Sequence, residues 1–240
     1  MVKTARATPD APEGEQTAEQ PQAQEQPLPT VLIAKPRAAP RATRYVCLDF
    51  ETNGFPGKAS APREDWTLPW SSFPIQLSVD FVEHGDVIHA MDEVIRGATQ
   101  LSPWVRNNVP VTLKDIAERG VNFMDAVKQL AGMLREGDMI VAHNAHFDLE
   151  TVLARTTKKL SDLYDLDYLD DFPAVRAILE APRFCTMRCA YSQTTVGKQP
   201  SMGQLCEHFQ VSLVGAHDAR ADSSALAHCV AEAWRRGVML

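Results

Sequence analysis

The sequence predicts an α/β layer architecture, a mixed β-sheet with α-helices packed against it. Three observations carry that prediction: three consecutive strand-like segments between Arg44 and Met91, an amphipathic helical stretch after them, and a short apolar strand at Met139–Ala142 leading into further helices. No internal repeat is present, so one domain of catalytic size is expected over residues 44–240.

Taken in order, Arg44 to Glu51 is a short apolar run with β-branched and aromatic members, too short for a typical helix, and reads as a strand. Ile75, Leu77, Val79 and Phe81 then alternate with Gln76, Ser78 and Asp80 at period two. After His84-Gly85-Asp86 a second run, Val87 to Met91, completes a hairpin. Between these strands, the stretch from Asn53 to Phe73 is a long loop of the kind that is more often functional than not. Its Trp66 and Trp70 either stack on bases or anchor the loop to the core. Phe123, Ala126, Val127, Leu130, Met133 and Leu134 recur at spacings of three and four, with Asn122 as N-cap and Gly137 past the end, which predicts an amphipathic helix. Met139–Ala142 is a buried strand running into His143-Asn144. Phe147 to Thr156 reads as helical, Ser201 caps a helix through Phe209, and Asp218 to Arg236 is a long final helix stopped by Gly237.

Residues 1–43 differ in kind. They hold seven prolines and a Gln/Glu/Ala-rich run, with Val31-Leu32-Ile33 the main aliphatic patch, so they bury too little apolar area to offset ordering entropy and are expected to be a disordered tail. The patch reads as a linker, with docking to a protein partner as the competing use. The tail carries five basic and five acidic residues, so the whole net charge of −7 belongs to residues 44–240. Those acids weigh against a mitochondrial transit peptide but leave organellar targeting open.

Composition narrows the class. Of 240 residues 45% are hydrophobic and 23% charged, in the range of a globular protein, and no apolar run approaches the length needed to cross a bilayer. Five cysteines without framework spacing, and no signal peptide ahead of them, predict reduced thiols in a cytoplasmic or nuclear compartment. Gly-rich phosphate loops are absent, which removes support for P-loop motors and dinucleotide-dependent dehydrogenases. An acidic domain is an unusual partner for nucleic acid, unless some of its carboxylates hold divalent cations that present a positive site to phosphate.

The carboxylates support that possibility. Side chains alternate along a strand, so Asp49 and Glu51 share one face, where solvation at the strand end would account for the pair alone. The final helix has an apolar stripe through Ala225, Leu226, Cys229, Val230 and Ala233, and stepping back along it reaches Asp222, an acid on the inner face without a basic partner at helical spacing. Asp148 stands where a buried strand meets the next helix. Hard oxygen ligands brought from separate elements are what Mg²⁺ or Mn²⁺ requires.

The segments Asp49-Phe50-Glu51-Thr52, His143-Asn144-Ala145-His146-Phe147-Asp148 and His217-Asp218-Ala219-Arg220-Ala221-Asp222 resemble, in order, the three exonuclease motifs of the DEDD 3′–5′ exonuclease superfamily. The histidine five residues before the last acid resembles the His subclass, which includes polymerase proofreading subunits, three-prime repair exonucleases, oligoribonuclease and RNase T. The resemblance implies a ribonuclease H-like mixed sheet flanked by helices. It also implies two Mg²⁺ or Mn²⁺ ions on Asp49, Glu51, Asp148 and Asp222, His217 as general base, and Thr52, Asn144 and Phe147 as substrate contacts. The implied reaction is hydrolysis of single-stranded or frayed 3′ ends of DNA or RNA, releasing 5′-mononucleotides. Histidine suits the base role because its side chain ordinarily titrates near neutral pH. A catalytically silent member, kept for binding nucleic acid or a polymerase, is the alternative, but such a chain would be expected to have lost a ligand or the base. The long 53–73 loop and the tail depart from commoner members. A competing zinc reading of His143, His146, Cys185, Cys189, Cys206 and His208 fits no known ligand pattern, and core packing is expected for the cysteines.

Overall fold

The computed structural model describes residues 42–54, 72–189 and 191–238. The expected tail, apart from Ala42 and Thr43, lies outside the described residues, as do Trp66, Trp70 and most of the 53–73 loop.

Five strands form one mixed sheet: β1 (Arg44–Thr52), β2 (Pro74–Glu83), β3 (Asp86–Val94), β4 (Asp138–Ala142) and β5 (Arg183–Cys185), in the order β3-β2-β1-β4-β5. The first three run antiparallel, while β4 is parallel to β1 and β5 parallel to β4. The hairpin between β2 and β3 turns on His84 and Gly85, both at positive φ (52° and 84°), the backbone that a two-residue turn matched to strand twist demands. The helices are α1 (Pro103–Asn108), α2 (Leu113–Arg119), α3 (Phe123–Met133), α4 (Arg155–Tyr164), α5 (Pro173–Glu180), α6 (Met202–Phe209) and α7 (Ala219–Arg235). A π-helical stretch, His146–Ala154, runs straight into α4, and a shorter one spans Ser192–Val196. This mixed sheet flanked by helices is the architecture that the sequence predicts.

Strand alternation divides the core in two. Val46, Leu48 and Phe50 of β1 join Ile75, Leu77 and Val79 of β2 against α3, the π-helical stretch and α5. Cys47, on the other face, packs with Val141 against α6 and α7 through Leu205, Phe209, Leu226 and Val230. Each such side chain, fully withdrawn from water, contributes roughly 1.5–3 kcal/mol.

The intervening residues of β2 are polar yet buried: Gln76, Ser78 and Asp80 are 4%, 0% and 1% exposed. They lie under the first turns of α7 and are satisfied there. Arg220 forks onto both Asp80 oxygens at 2.9 and 3.1 Å, and the Ser223 hydroxyl bonds Asp80 at 2.7 Å and Ser78 at 2.9 Å. Gln76 donates to Asp218 at 2.8 Å and accepts the Ala219 backbone N–H at 3.2 Å. The last turns of α7 are thus held by apolar packing and the first by directional bonds. A buried carboxylate such as Asp80 is tolerated only when paired and hydrogen-bonded in this way.

Candidate active site

Asp49 and Glu51 stand at the end of β1, on the face toward α7. Pairing of β1 with β4 stops at Cys47 and Val141, and beyond that point β4 turns away. The Phe50 backbone N–H is then taken by the Asp148 carboxylate, at 3.1 Å. Asn144 makes the turn that allows this: its φ is +85°, a left-handed conformation that Asn tolerates better than most residues, and its carbonyl accepts the Phe147 N–H at 2.7 Å. The chain then winds into the π-helical stretch, a form frequent at functional sites, and Asp148 points back at β1 with only 2% exposure.

The third contribution comes from the start of α7. Asp218 caps the helix by accepting the Arg220 N–H at 3.2 Å, and Asp222 lies in the first turn. One Asp222 oxygen, Oδ2, accepts the His217 backbone N–H at 3.0 Å, whereas Oδ1 is buried without a hydrogen-bond partner. His217 itself is solvent-exposed in the preceding loop, at φ +68°. Its ring meets the Trp104 ring edge to face, centroids 4.8 Å apart and planes at 78°.

All eight residues proposed from the sequence, Asp49, Glu51, Thr52, Asn144, Phe147, Asp148, His217 and Asp222, line one cleft of about 250 Å³. Thr52 enters it with its hydroxyl already donated to the Gly54 carbonyl at 2.9 Å. A larger groove, about 590 Å³, lies between the segment 209–214 and α7 and contains none of the eight. The base of the long loop is closed beside the cleft by the Phe73 N–H to the Asn53 side chain at 3.0 Å.

Electrostatics mark this cleft as a place where negative charge is under strain. Burial lifts the Asp49 carboxyl well above the usual range, and the charges of Asp148, Glu51, Asp222 and Asp218 lift it further. Glu51 is pushed up to about 8, first by burial and then by Asp222, Asp148 and Asp218. Burial raises Asp148 to about 7 against the opposing N–H bonds from Phe50 and Asp148 itself. Asp222 is also raised by burial, partly offset by His217. Four carboxylates that each resist ionisation, one with an unpartnered buried oxygen, are a fit for divalent cations.

Four residues of the zinc reading have partners of their own. His143 bonds the Thr186 hydroxyl and the Pro200 carbonyl, both at 2.9 Å, so its Nε2 donates and its Nδ1 accepts; burial holds its pKa below the usual value. His208 bonds the Tyr191 hydroxyl at 2.7 Å, Cys189 bonds Thr186 and Ser192, and Cys206 lies 3.8 Å from the Cys229 sulfur inside the second core. Sequence reasoning missed Trp104, Gln76 and the electrostatic share of Asp218. Gln76 had a signal, a polar residue on an otherwise apolar strand, and Asp218 another, its N-cap position; Trp104 had none.

Residues 112–230 match the RNase T family, described as exonuclease. That match is consistent with a member of the DEDD exonuclease superfamily. The matched stretch includes Asp148, His217 and Asp222; Asp49 and Glu51 precede it and join the site through the sheet. No curated protein matches the chain in sequence. Among solved structures, the chain is similar to a 3′-exonuclease in specific recognition of the 3′ end of a histone mRNA stem-loop, with 13% identity, TM-score 0.55, and 83% of this chain and 84% of that one covered. It is also similar to Exonuclease X in complex with 5′-overhanging duplex DNA (17% identity, TM-score 0.52, 82% and 93% covered). A third is S. pombe Pop2p in its Mg²⁺- and Mn²⁺-bound form (13% identity, TM-score 0.56, 80% and 83% covered). At these identities the likenesses establish a shared fold. Among the described residues no helix is long and apolar enough to cross a membrane.

Proposed function

We propose that this nuclease is a 3′–5′ exonuclease of the His subclass. It hydrolyses phosphodiester bonds at single-stranded or frayed 3′ ends of DNA or RNA and releases 5′-mononucleotides. The observation that carries the reading is the convergence of Asp49, Glu51, Asp148 and Asp222, from a strand, a strand-to-helix junction and a helix, on one cleft that His217 borders.

Those four carboxylates would hold two Mg²⁺ or Mn²⁺ ions, which supply charge stabilisation to a phosphoryl group under attack and to the departing oxygen. The chain's own residues do the rest. His217, tethered to Asp222 through its backbone and steadied by the Trp104 ring, accepts the proton of the attacking water. Phe147 offers an apolar face to the terminal base and Asn144 an amide to its nucleotide, both from the cleft wall. Asp148 is held toward β1 by the Phe50 N–H at 3.1 Å.

The test is an assay of labelled single-stranded DNA, duplex DNA and RNA with Mg²⁺, Mn²⁺ or EDTA, with products sized. Stepwise mononucleotide release from a free 3′-hydroxyl end is expected, and undiminished cleavage in EDTA, or equal cutting of circular and linear strands, would sink the reading.

A further inference from the structure

One corner of the cleft carries a ligand set of a different kind. Glu51, His217 and Asp222 each present one ligand atom, and these three atoms all lie within 4.8 Å of one another. Among the described residues no other three His, Cys, Asp or Glu side chains come together in this way. Two carboxylates with an imidazole suit zinc, a borderline-soft ion that takes nitrogen and oxygen in tetrahedral sites. Magnesium prefers oxygen ligands alone.

Two further observations point to a ligand here. Asp222 Oδ1 is buried and has no hydrogen-bond partner, while Oδ2 is engaged by the His217 N–H, so one oxygen is left to coordinate. His217 projects from a loop, exposed, with its ring in edge contact with Trp104 and no core packing to hold it. Zinc bonds of about 2.1 Å place tetrahedral ligand atoms roughly 3.4 Å apart. The contraction needed falls on this exposed side chain, the one member of the set on a loop.

We propose that Glu51, His217 and Asp222 form an inhibitory zinc site within the catalytic cleft. Zinc there occupies two of the carboxylates assigned to the catalytic ions and takes the imidazole lone pair that would accept a proton. The inference rests on the reading of these residues as ion ligands and base. Zinc outcompetes magnesium for such a set because affinity for mixed N/O sites rises toward the end of the first transition row, and because magnesium makes no use of the imidazole.

The experiment titrates Zn²⁺ calorimetrically into the metal-free full chain, wild type and His217→Ala, with Co²⁺ absorption as a reporter of four-coordination and the Mg²⁺-induced thermal shift measured in parallel. His217→Ala is expected to lose Zn²⁺ affinity by at least about tenfold, since even outer-shell partners of a metal contribute that much, and to lose the four-coordinate Co²⁺ spectrum. Its Mg²⁺ shift should stay at the wild-type value. In the wild type, Zn²⁺ added to the Mg²⁺-supported reaction should inhibit, and a chelator should restore activity. Equal Zn²⁺ affinity in the two proteins overturns the inference, as does turnover with Zn²⁺ alone at the Mg²⁺ rate. His217-dependent Zn²⁺ binding to a protein that no metal activates would instead overturn the exonuclease reading and leave the zinc site standing.

Discussion

Gln76 and Asp218 are joined side chain to side chain at 2.8 Å across 142 positions of sequence. The same Gln76 accepts the Ala219 N–H, so the amide of a sheet residue sets where α7 begins. His217 stands immediately before that junction and Asp222 in the first turn after it. Replacing Gln76 by Ala should therefore leave a buried N–H without a partner, at a cost of roughly 1–3 kcal/mol in denaturant unfolding. It should also lower kcat by roughly tenfold, as small misplacements of catalytic groups do, with less change in KM. Destabilisation with kcat untouched would reduce Gln76 to a purely structural role.

Asp222→Asn should abolish turnover and yet raise the thermal stability of the metal-free protein. The substitution removes one of four carboxylates that burial and mutual repulsion hold above their ordinary range. A gain of about 1 kcal/mol, or roughly 3 °C for a domain of this size, is expected, and it should shrink or reverse in Mg²⁺, which stabilises only the intact site. Calorimetric melting with and without Mg²⁺ decides it; a variant less stable without metal would make Asp222 a structural acid first.

The metal-free protein should lose stability as pH rises. Asp148 is raised to about 7 and Glu51 to about 8, whereas carboxylates of an unfolded chain titrate near about 4. Between those limits the folded state holds protons that the unfolded state has released, so the contribution is complete below about pH 4 and disappears as pH passes through 7 to 8. Melting temperature should fall from about pH 5 to pH 8 in EDTA, and Mg²⁺, competing with those protons, should cancel or invert the slope. A flat or rising metal-free profile would contradict the assignment of strain to these acids.

His217→Ala should lower kcat by about 10²-fold or more, the usual contribution of a general base. KM should change little, because the imidazole touches neither sugar nor base in this reading. The rise of kcat with pH on the acid side should vanish in the variant. A substitution that leaves that limb intact would place the base elsewhere.

Much of this protein is legible in its sequence because the signals are local. The period-two alternation of β1 already places Val46, Leu48 and Phe50 on one face and Cys47, Asp49 and Glu51 on the other, and the two cores divide along that line. The caps Asn122, Ser201 and Asp218 announce helices that begin one residue later. The helices α1, α2 and α5 escaped, since six to eight residues hold too few turns for an apolar period to emerge and their stability comes from what they pack against.

By itself the sequence determined which residue types the site would contain: four acids, a histidine and their spacing are covalent facts, and their improbability on apolar elements is visible without coordinates. Only the tertiary structure decided that they share one cleft, that Phe50 satisfies Asp148, that Gln76 and Asp80 pin the start of α7, and that Trp104 meets His217. Each of those contacts joins residues at least 98 positions apart, a relationship that no local propensity encodes. They form because closing the sheet under α7 buries polar groups, and a buried donor or acceptor must find its partner wherever in the chain that partner lies.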